Sequence, residues 1–216
     1  MDRKGDFIGV YGGKKFWPLD PRPEDVDMIG VAHALSQVCR FNGHTKFHWS
    51  IAQHSLLVEK ILSEYMGQHD NYRIRLIGLL HDASEAYISD LLRPFKKDVA
   101  GYKEIEEAVE DSILEYCGLT NITEKEHEMV KQADNSALIL EALTLMNPGE
   151  DWSMMGFWND KLEPYKQEIK KEDTSYIKYK FTTKCGNLMD KLNIQVPWRQ
   201  ETEYIGLEQI YNGREL

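Results

Sequence analysis

A chain of 216 residues, 42% hydrophobic and 29% charged, can build one domain with a substantial core or two small ones, and it excludes disordered and collagen-like classes. The net charge of −10 disfavours broad contact with nucleic acid, yet permits a small phosphorylated substrate held by a cation and a few local Arg and Lys. Cys39, Cys117 and Cys185 are odd in number and form no CxxC pair, so free thiols in a reducing cytosol are expected rather than a zinc ribbon or a disulfide framework.

Residues 1–13 lack the apolar core of a signal peptide, and no apolar run reaches about 18 residues, so a cytoplasmic protein without a membrane span is expected. Gly12-Gly13, Pro18, Pro21 and Pro23 punctuate a turn-rich opening stretch, expected to wrap the core as an extended arm. A short helix follows Pro23, since Glu24 and Asp25 suit a first turn and Val31, Leu35 and Val38 recur at helical spacing. Asn42 to Trp49 reads as a loop around Gly43.

Ile51 to Met66 places His54, Leu57, Val58, Ile61, Leu62 and Tyr65 on one helical face. Arg73 to Tyr87 predicts a second helix with Ile74, Ile77, Gly78 and His81 on a shared face, and Pro94 should interrupt helicity beyond it. Ile105 to Tyr116 is a third helix, stopped by Cys117-Gly118. Thr123 reads as an N-cap with Glu126 completing a capping box, and the helix it opens runs through Asp134 to about Met146, before Pro148. Beyond residue 150 the pattern blurs. Trp152, Phe157 and Trp158 suggest a packed segment, Leu162 to Lys171 a helix, and Ile177 to Thr183 fits helix or strand. No repeat or low-complexity linker divides the chain, so the expectation is a single all-α domain over 1–216, with a core of about 24–146 and an extension of about 150–216 that allows minor β or irregular structure.

The chemistry-bearing segment is His81-Asp82-Ala83-Ser84-Glu85. Adjacent His and Asp at a helix end can reach one ion, and imidazole with carboxylate suits Zn, Mn, Fe or Co better than Mg. An HD dipeptide alone is weak evidence. His54, on an apolar stripe, is by itself more often a hydrogen-bonded core residue than a ligand. Asp134 shares a stripe with Ala137, Leu138 and Leu145, where a carboxylate needs a cation or several donors; a salt bridge or cap competes equally with a metal there.

Taken together, the order His, His-Asp, Asp resembles the HD-domain phosphohydrolase superfamily. Ala52-Gln53-His54-Ser55-Leu56, Leu80-His81-Asp82-Ala83-Ser84-Glu85 and Lys131-Gln132-Ala133-Asp134 look like the branch of bacterial 5′-deoxynucleotidases and phage enzymes that hydrolyse dATP. The resemblance covers roughly residues 16 to 146 and implies an HD-type helical bundle. It assigns His54, His81, Asp82 and Asp134 to one divalent metal ion (Co, Mn, Zn, Fe or Mg). Glu85 receives the general acid/base role, and Asp90 binds the sugar or assists the leaving oxygen. Arg40-Phe41 stands where the deoxynucleotidases carry an Arg-Trp pair touching phosphate and sugar; Phe keeps a stacking surface and lacks the indole donor. Arg93, Lys96 and Lys97 could neutralise phosphate, or form a solvated basic turn. His44 and His48 are more often incidental, and His33, His69 and His127 read as structural or solvent-facing. Trp152 and Trp158 read as core.

The activity implied is hydrolysis of the bond between phosphorus and the sugar 5′ oxygen of a deoxynucleotide, with a monophosphate favoured over dATP. For a triphosphate tail, Lys14, Lys15, Lys46, Lys96 and Lys97 are available. A cyclic-nucleotide phosphodiesterase and a non-catalytic nucleotide-binding module are the rival readings; a missing GYP triplet weakens the first, and a complete ligand set weakens the second. The expected partner is a small deoxynucleotide, with no stable nucleic acid and no membrane, and the resemblance adds a homo-oligomer.

Overall fold

Most of the longer helices begin where the sequence supplies a cap. The computed structural model describes residues 3–92, 96, 98–146 and 158–211. Asp27 accepts from the Ile29 amide and opens α1 (Met28–Gln37). Ser50 and Gln53 form a reciprocal capping box at α2 (Ile51–Lys60), and Asn71 caps α3 (Tyr72–Leu80). After the short α4 (Glu85–Ile88), α5 spans Tyr102–Tyr116. The predicted Thr123–Glu126 box opens α6 (Glu124–Leu145), ending one residue before Met146. Asp173 caps α7 (Thr174–Lys191), and α8 (Thr202–Tyr211) closes the described chain.

This is an all-α architecture. α2 lies at its centre, packed against α1, α3, α6 and α7, while α1 runs along α7. The stripe predicted from residue 51 onward is buried at Leu57, Val58, Ile61 and Leu62, and the helix widens into a π-type turn over Ile61–Tyr65. One apolar cluster collects side chains from Phe16 in the arm to Tyr204 in α8. Each fully buried Leu or Ile in it contributes about 1.5–3 kcal/mol before entropy is counted. α2 and α3 meet at Gly78, where even a Cβ would overlap the Leu62 side chain.

Three expectations need correction. The helix predicted over Arg73 to Tyr87 breaks at His81. Bonds from the amides of Ala83, Glu85 and Ala86 to carbonyls three residues back replace the α-helical ladder, and α4 starts afresh at Glu85. Leu162 to Lys171 is not α-helical; a 3-10 helix covers Asp160–Glu168 with Pro164, which has no amide hydrogen, inside it. Among the described residues, the β strands lie in the N-terminal arm, where Ile8–Gly9 pairs antiparallel with Lys15–Phe16, and none lies in the C-terminal third. There, Ile177 to Thr183 is the interior of α7. The readings at Pro94, Pro148, Trp152 and Phe157 fall outside the described residues. Among the described residues no helix is long and apolar enough to cross a membrane.

Candidate metal centre

Two connections and two helices build the site. The loop between α1 and α2 is pinched at its base, where Arg40 N donates to Trp49 O at 2.8 Å and Ile51 N to Val38 O at 3.0 Å. Its tip turns through Phe41, Asn42 and Gly43, all left-handed, with φ of 54°, 50° and 78°. Asn tolerates this region, whereas Phe is held there against its intrinsic preference. The pinch sets Arg40 and Trp49 side by side, and α2 presents His54 one turn into the helix. The break after α3 supplies His81 and Asp82 from a tight turn, and α6 supplies Asp134 from its middle.

His54, His81 and Asp82 bring one ligand atom each within 4.8 Å of one another, a grouping that could hold a metal ion. The two Nε2 atoms are 3.3 Å apart, and Asp82 Oδ2 lies 3.5 Å from that of His54 and 3.2 Å from that of His81. Asp134 Oδ1 approaches the same two nitrogens, at 3.2 and 4.0 Å. His54 is fully buried, and Asp134 is nearly so.

The donor chemistry fits a cation. His81 Nδ1 lies 2.9 Å from the Gly78 carbonyl and His54 Nδ1 lies 2.8 Å from Glu141 Oε1, both acceptors, so each Nδ1 carries a hydrogen. In a neutral imidazole that leaves the lone pair on Nε2. Two such lone pairs would then face each other beside two carboxylates, an arrangement that only positive charge stabilises. Without a metal, protons supply it. Burial pulls both imidazoles down, but Asp82 and Asp134 raise His81 to about 9, and Glu141 and Asp134 raise His54 against Arg40. Burial pushes the carboxyls up, yet His81, His54 and Arg40 hold Asp82 well below the usual range, and the two imidazoles lower Asp134 to about 2.

Glu85 has the opposite character. It is buried, its Oε2 has no hydrogen-bond partner among the described residues, and burial together with Asp82 and Asp90 lifts its carboxyl well above the usual range. Asp90 is raised as well, by burial first and then by Asp82. It follows Ser89, whose φ of 67° turns the chain out of α4. Glu110 on α5, which the sequence reading passed over, is pushed up to about 7 by burial, with His81 opposing and Asp82 assisting.

Arg40 belongs to the same constellation. It is buried, with Nη1 3.7 Å from Asp82 and Nη2 3.3 Å from Glu141, and its guanidinium lies 5.5 Å from the half-buried Phe41 ring. Lys96 is 2.5 Å from Glu106 and stands over the Tyr102 ring. Arg93 and Lys97 lie outside the described residues. His44 is exposed, and His48 contacts the Ser36 carbonyl; neither joins the cluster. His33 stacks on Tyr11, His69 meets Ser63, and His127 is exposed. Trp158 is half-buried, bonded to Asp160.

Besides Glu110, two residues that back the constellation from behind escaped the sequence reading. Glu141 is fully buried and accepts from Trp49 Nε1 at 2.8 Å as well as from His54 and Arg40. The available signal was a carboxylate set among Leu138, Ile139, Leu140 and Ala142, seven residues beyond Asp134 and therefore on the same helical face. Trp49 carried no comparable signal, because only the loop pinch brings its indole there.

No family model matches the chain. It is similar to the uncharacterized protein YfdR of Escherichia coli, with 31% identity over 150 residues, covering 69% of this chain and 78% of that protein. It is also similar to the uncharacterized protein RCAP_rcc00048 of Rhodobacter capsulatus, with 34% identity over 137 residues, covering 62% of this chain and 69% of that protein.

Proposed function

The chain belongs to the family of YfdR and RCAP_rcc00048, whose names carry no activity, and we propose from its site that it is an HD-type, metal-dependent phosphohydrolase acting on deoxynucleotides. The observation that carries the reading is the convergence of two Nδ1-anchored imidazoles and two carboxylates on one point. His54, His81, Asp82 and Asp134 would hold the divalent ion, with imidazole and carboxylate donors suited to Co, Mn, Zn or Fe, and less so to Mg. When bound, such an ion acidifies water and neutralises phosphate charge.

The protein's own groups supply the rest. Arg40 offers a positive group beside Asp82, where it can meet phosphate oxygens, and Phe41 offers an apolar face for sugar or base. Glu85 Oε2 is buried without a partner among the described residues, so a substrate oxygen or attacking water can complete its bonding. In the reaction, the water oxygen bonds to phosphorus and the bond from phosphorus to the 5′ oxygen breaks. The proton released by water passes through the Glu85 carboxyl to the leaving oxygen, with Asp90 beside the departing sugar.

A monophosphate is the favoured substrate. Among the described residues, each lysine considered for a triphosphate tail is already engaged. Lys14 pairs with Asp27, Lys15 stands over Phe7, Lys46 bonds the Thr144 carbonyl and Lys96 pairs with Glu106. The test is chromatographic product analysis with deoxynucleoside mono- and triphosphates and ribonucleotides, under Mn²⁺, Co²⁺ or Mg²⁺. Nucleoside plus orthophosphate from deoxynucleoside monophosphates is expected. Nucleoside plus intact triphosphate would overturn the monophosphate assignment, and no turnover under any ion would overturn the enzyme reading in favour of a nucleotide-binding module.

A further inference from the structure

We infer that Glu141 is a positioning residue that builds the metal centre and the phosphate-binding arginine as one unit, by fixing the tautomer of His54 and holding Arg40 back from Asp82. The inference rests on reading the His–Asp cluster as a metal centre.

A fully buried carboxylate is costly unless several donors satisfy it, and removing one partner of such a group leaves the others stranded. Glu141 lies in the apolar stretch from Ala137 to Leu145 with no exposure. It has three side-chain donors. Oε1 accepts from His54 Nδ1 and Trp49 Nε1, both at 2.8 Å, and Oε2 accepts from Arg40 Nη2 at 3.3 Å. Solvation of the carboxylate alone would be satisfied by any donors. What distinguishes these is that two of the three belong to the site.

The consequence for His54 is geometric. A carboxylate only accepts, so the hydrogen stays on Nδ1 and the Nε2 lone pair faces His81 and the Asp carboxylates. His81 obtains the same tautomer from a neutral partner, the Gly78 carbonyl. The charged partner is therefore at His54, where it can also serve Arg40. That guanidinium spans two anions, with Nη2 on Glu141 and Nη1 3.7 Å from Asp82. With Glu141 neutralised, the attraction toward Asp82 is unopposed, and Arg40 would compete with a cation for that carboxylate. One substitution thus has two effects on metal affinity, a looser imidazole and a blocked carboxylate.

The test is titration of the metal-free protein with Mn²⁺ alone, followed by calorimetry, for wild type, Glu141→Gln and Trp49→Phe. Trp49→Phe removes a donor from the same oxygen while leaving both site partners, so it reports the purely structural share. Glu141→Gln is expected to weaken Mn²⁺ binding by about 10- to 100-fold. Trp49→Phe is expected to lower the melting temperature and keep Mn²⁺ affinity within about threefold. Adding Arg40→Met to Glu141→Gln should recover part of the lost affinity, which a residue that only supports the fold would not allow. If Glu141→Gln fails to fold, Glu141→Asp, which withdraws the carboxylate by one methylene, carries the same expectation. Wild-type affinity in the Glu141 variant, or equal losses in it and Trp49→Phe, would overturn the positioning role alone. A wild-type protein that binds no divalent ion would overturn the metal reading, and this role with it.

Discussion

Asp134 and Glu141 stand two turns apart on α6 and address the same imidazole from opposite sides, Asp134 Oδ1 at 3.2 Å from His54 Nε2 and Glu141 Oε1 at 2.8 Å from Nδ1. Seven residues is close to two full turns, so one straight helix places both carboxylates on one face. His54 is consequently contacted at both ring nitrogens, which fixes the orientation of its buried imidazole.

Asp82 contacts both imidazoles and Arg40, so its removal should do more than delete one donor. Asp82→Ala is expected to lose bound divalent ion and activity together, as measured by metal analysis after dialysis against Mn²⁺. Wild-type protein should gain about 2.7 kcal/mol of stability at an ion concentration 100 times Kd, and the variant should gain none. Equal metal content in the two proteins would remove Asp82 from the ligand set.

Glu85 should behave differently, because its Oε2 makes no bond among the described residues. Glu85→Ala is expected to keep the ion and lower kcat by about 10² or more, without a large loss of thermal stability. A kcat within a fewfold of wild type would strip Glu85 of its proton-transfer role. Loss of the ion would recast it as part of the metal centre.

The helices were legible where sequence and packing agree. The stripe from His54 to Leu62 was legible as a helix although α2 is buried around nearly its whole circumference, and Thr123 with Glu126 marks a cap whose chemistry is local. The break at His81 was not legible, since it arises from a bond between the imidazole and the Gly78 carbonyl and from the turn that delivers Asp82 to His54. Within the site, the carboxylates of Asp82 and Asp134 each lie within ion-pair distance of both His54 and His81. Trp49 and Glu141 were missed for different reasons. Trp49 reaches Glu141 only through the loop pinch, a long-range fact, whereas Glu141 was a buried acid whose partners lie 87 to 101 residues away.

Gly78 links packing to the site. Its missing side chain admits Leu62, and its carbonyl fixes His81. Gly78→Ala is expected to destabilise by about 1–3 kcal/mol through overpacking, despite the better helix propensity of alanine. Displacement of α3 should also weaken Mn²⁺ binding. Scanning calorimetry with and without Mn²⁺ checks both effects; an unchanged melting temperature would show that Leu62 swings away at no cost.

The α6 cap should impose a pH dependence remote from the candidate metal centre. Burial pushes the Glu126 carboxyl up, but bonds from the Thr123 amide and hydroxyl, and from Arg73, outweigh it and leave the group below its ordinary value of 4.5. A carboxylate lowered on folding stabilises the native state fully above its unfolded pKa, and that contribution fades as pH falls through the folded value. Glu126→Gln keeps an acceptor for the cap and loses the charge facing Arg73. Its deficit relative to wild type in urea unfolding should therefore be largest at neutral pH and shrink in acid. Thr123→Ala, which removes the bond to the Glu126 amide, should cost about 0.5–2 kcal/mol at neutral pH. A Glu126→Gln deficit that stayed constant from neutral to acid pH would show that shape, and not charge, accounts for that side chain's contribution.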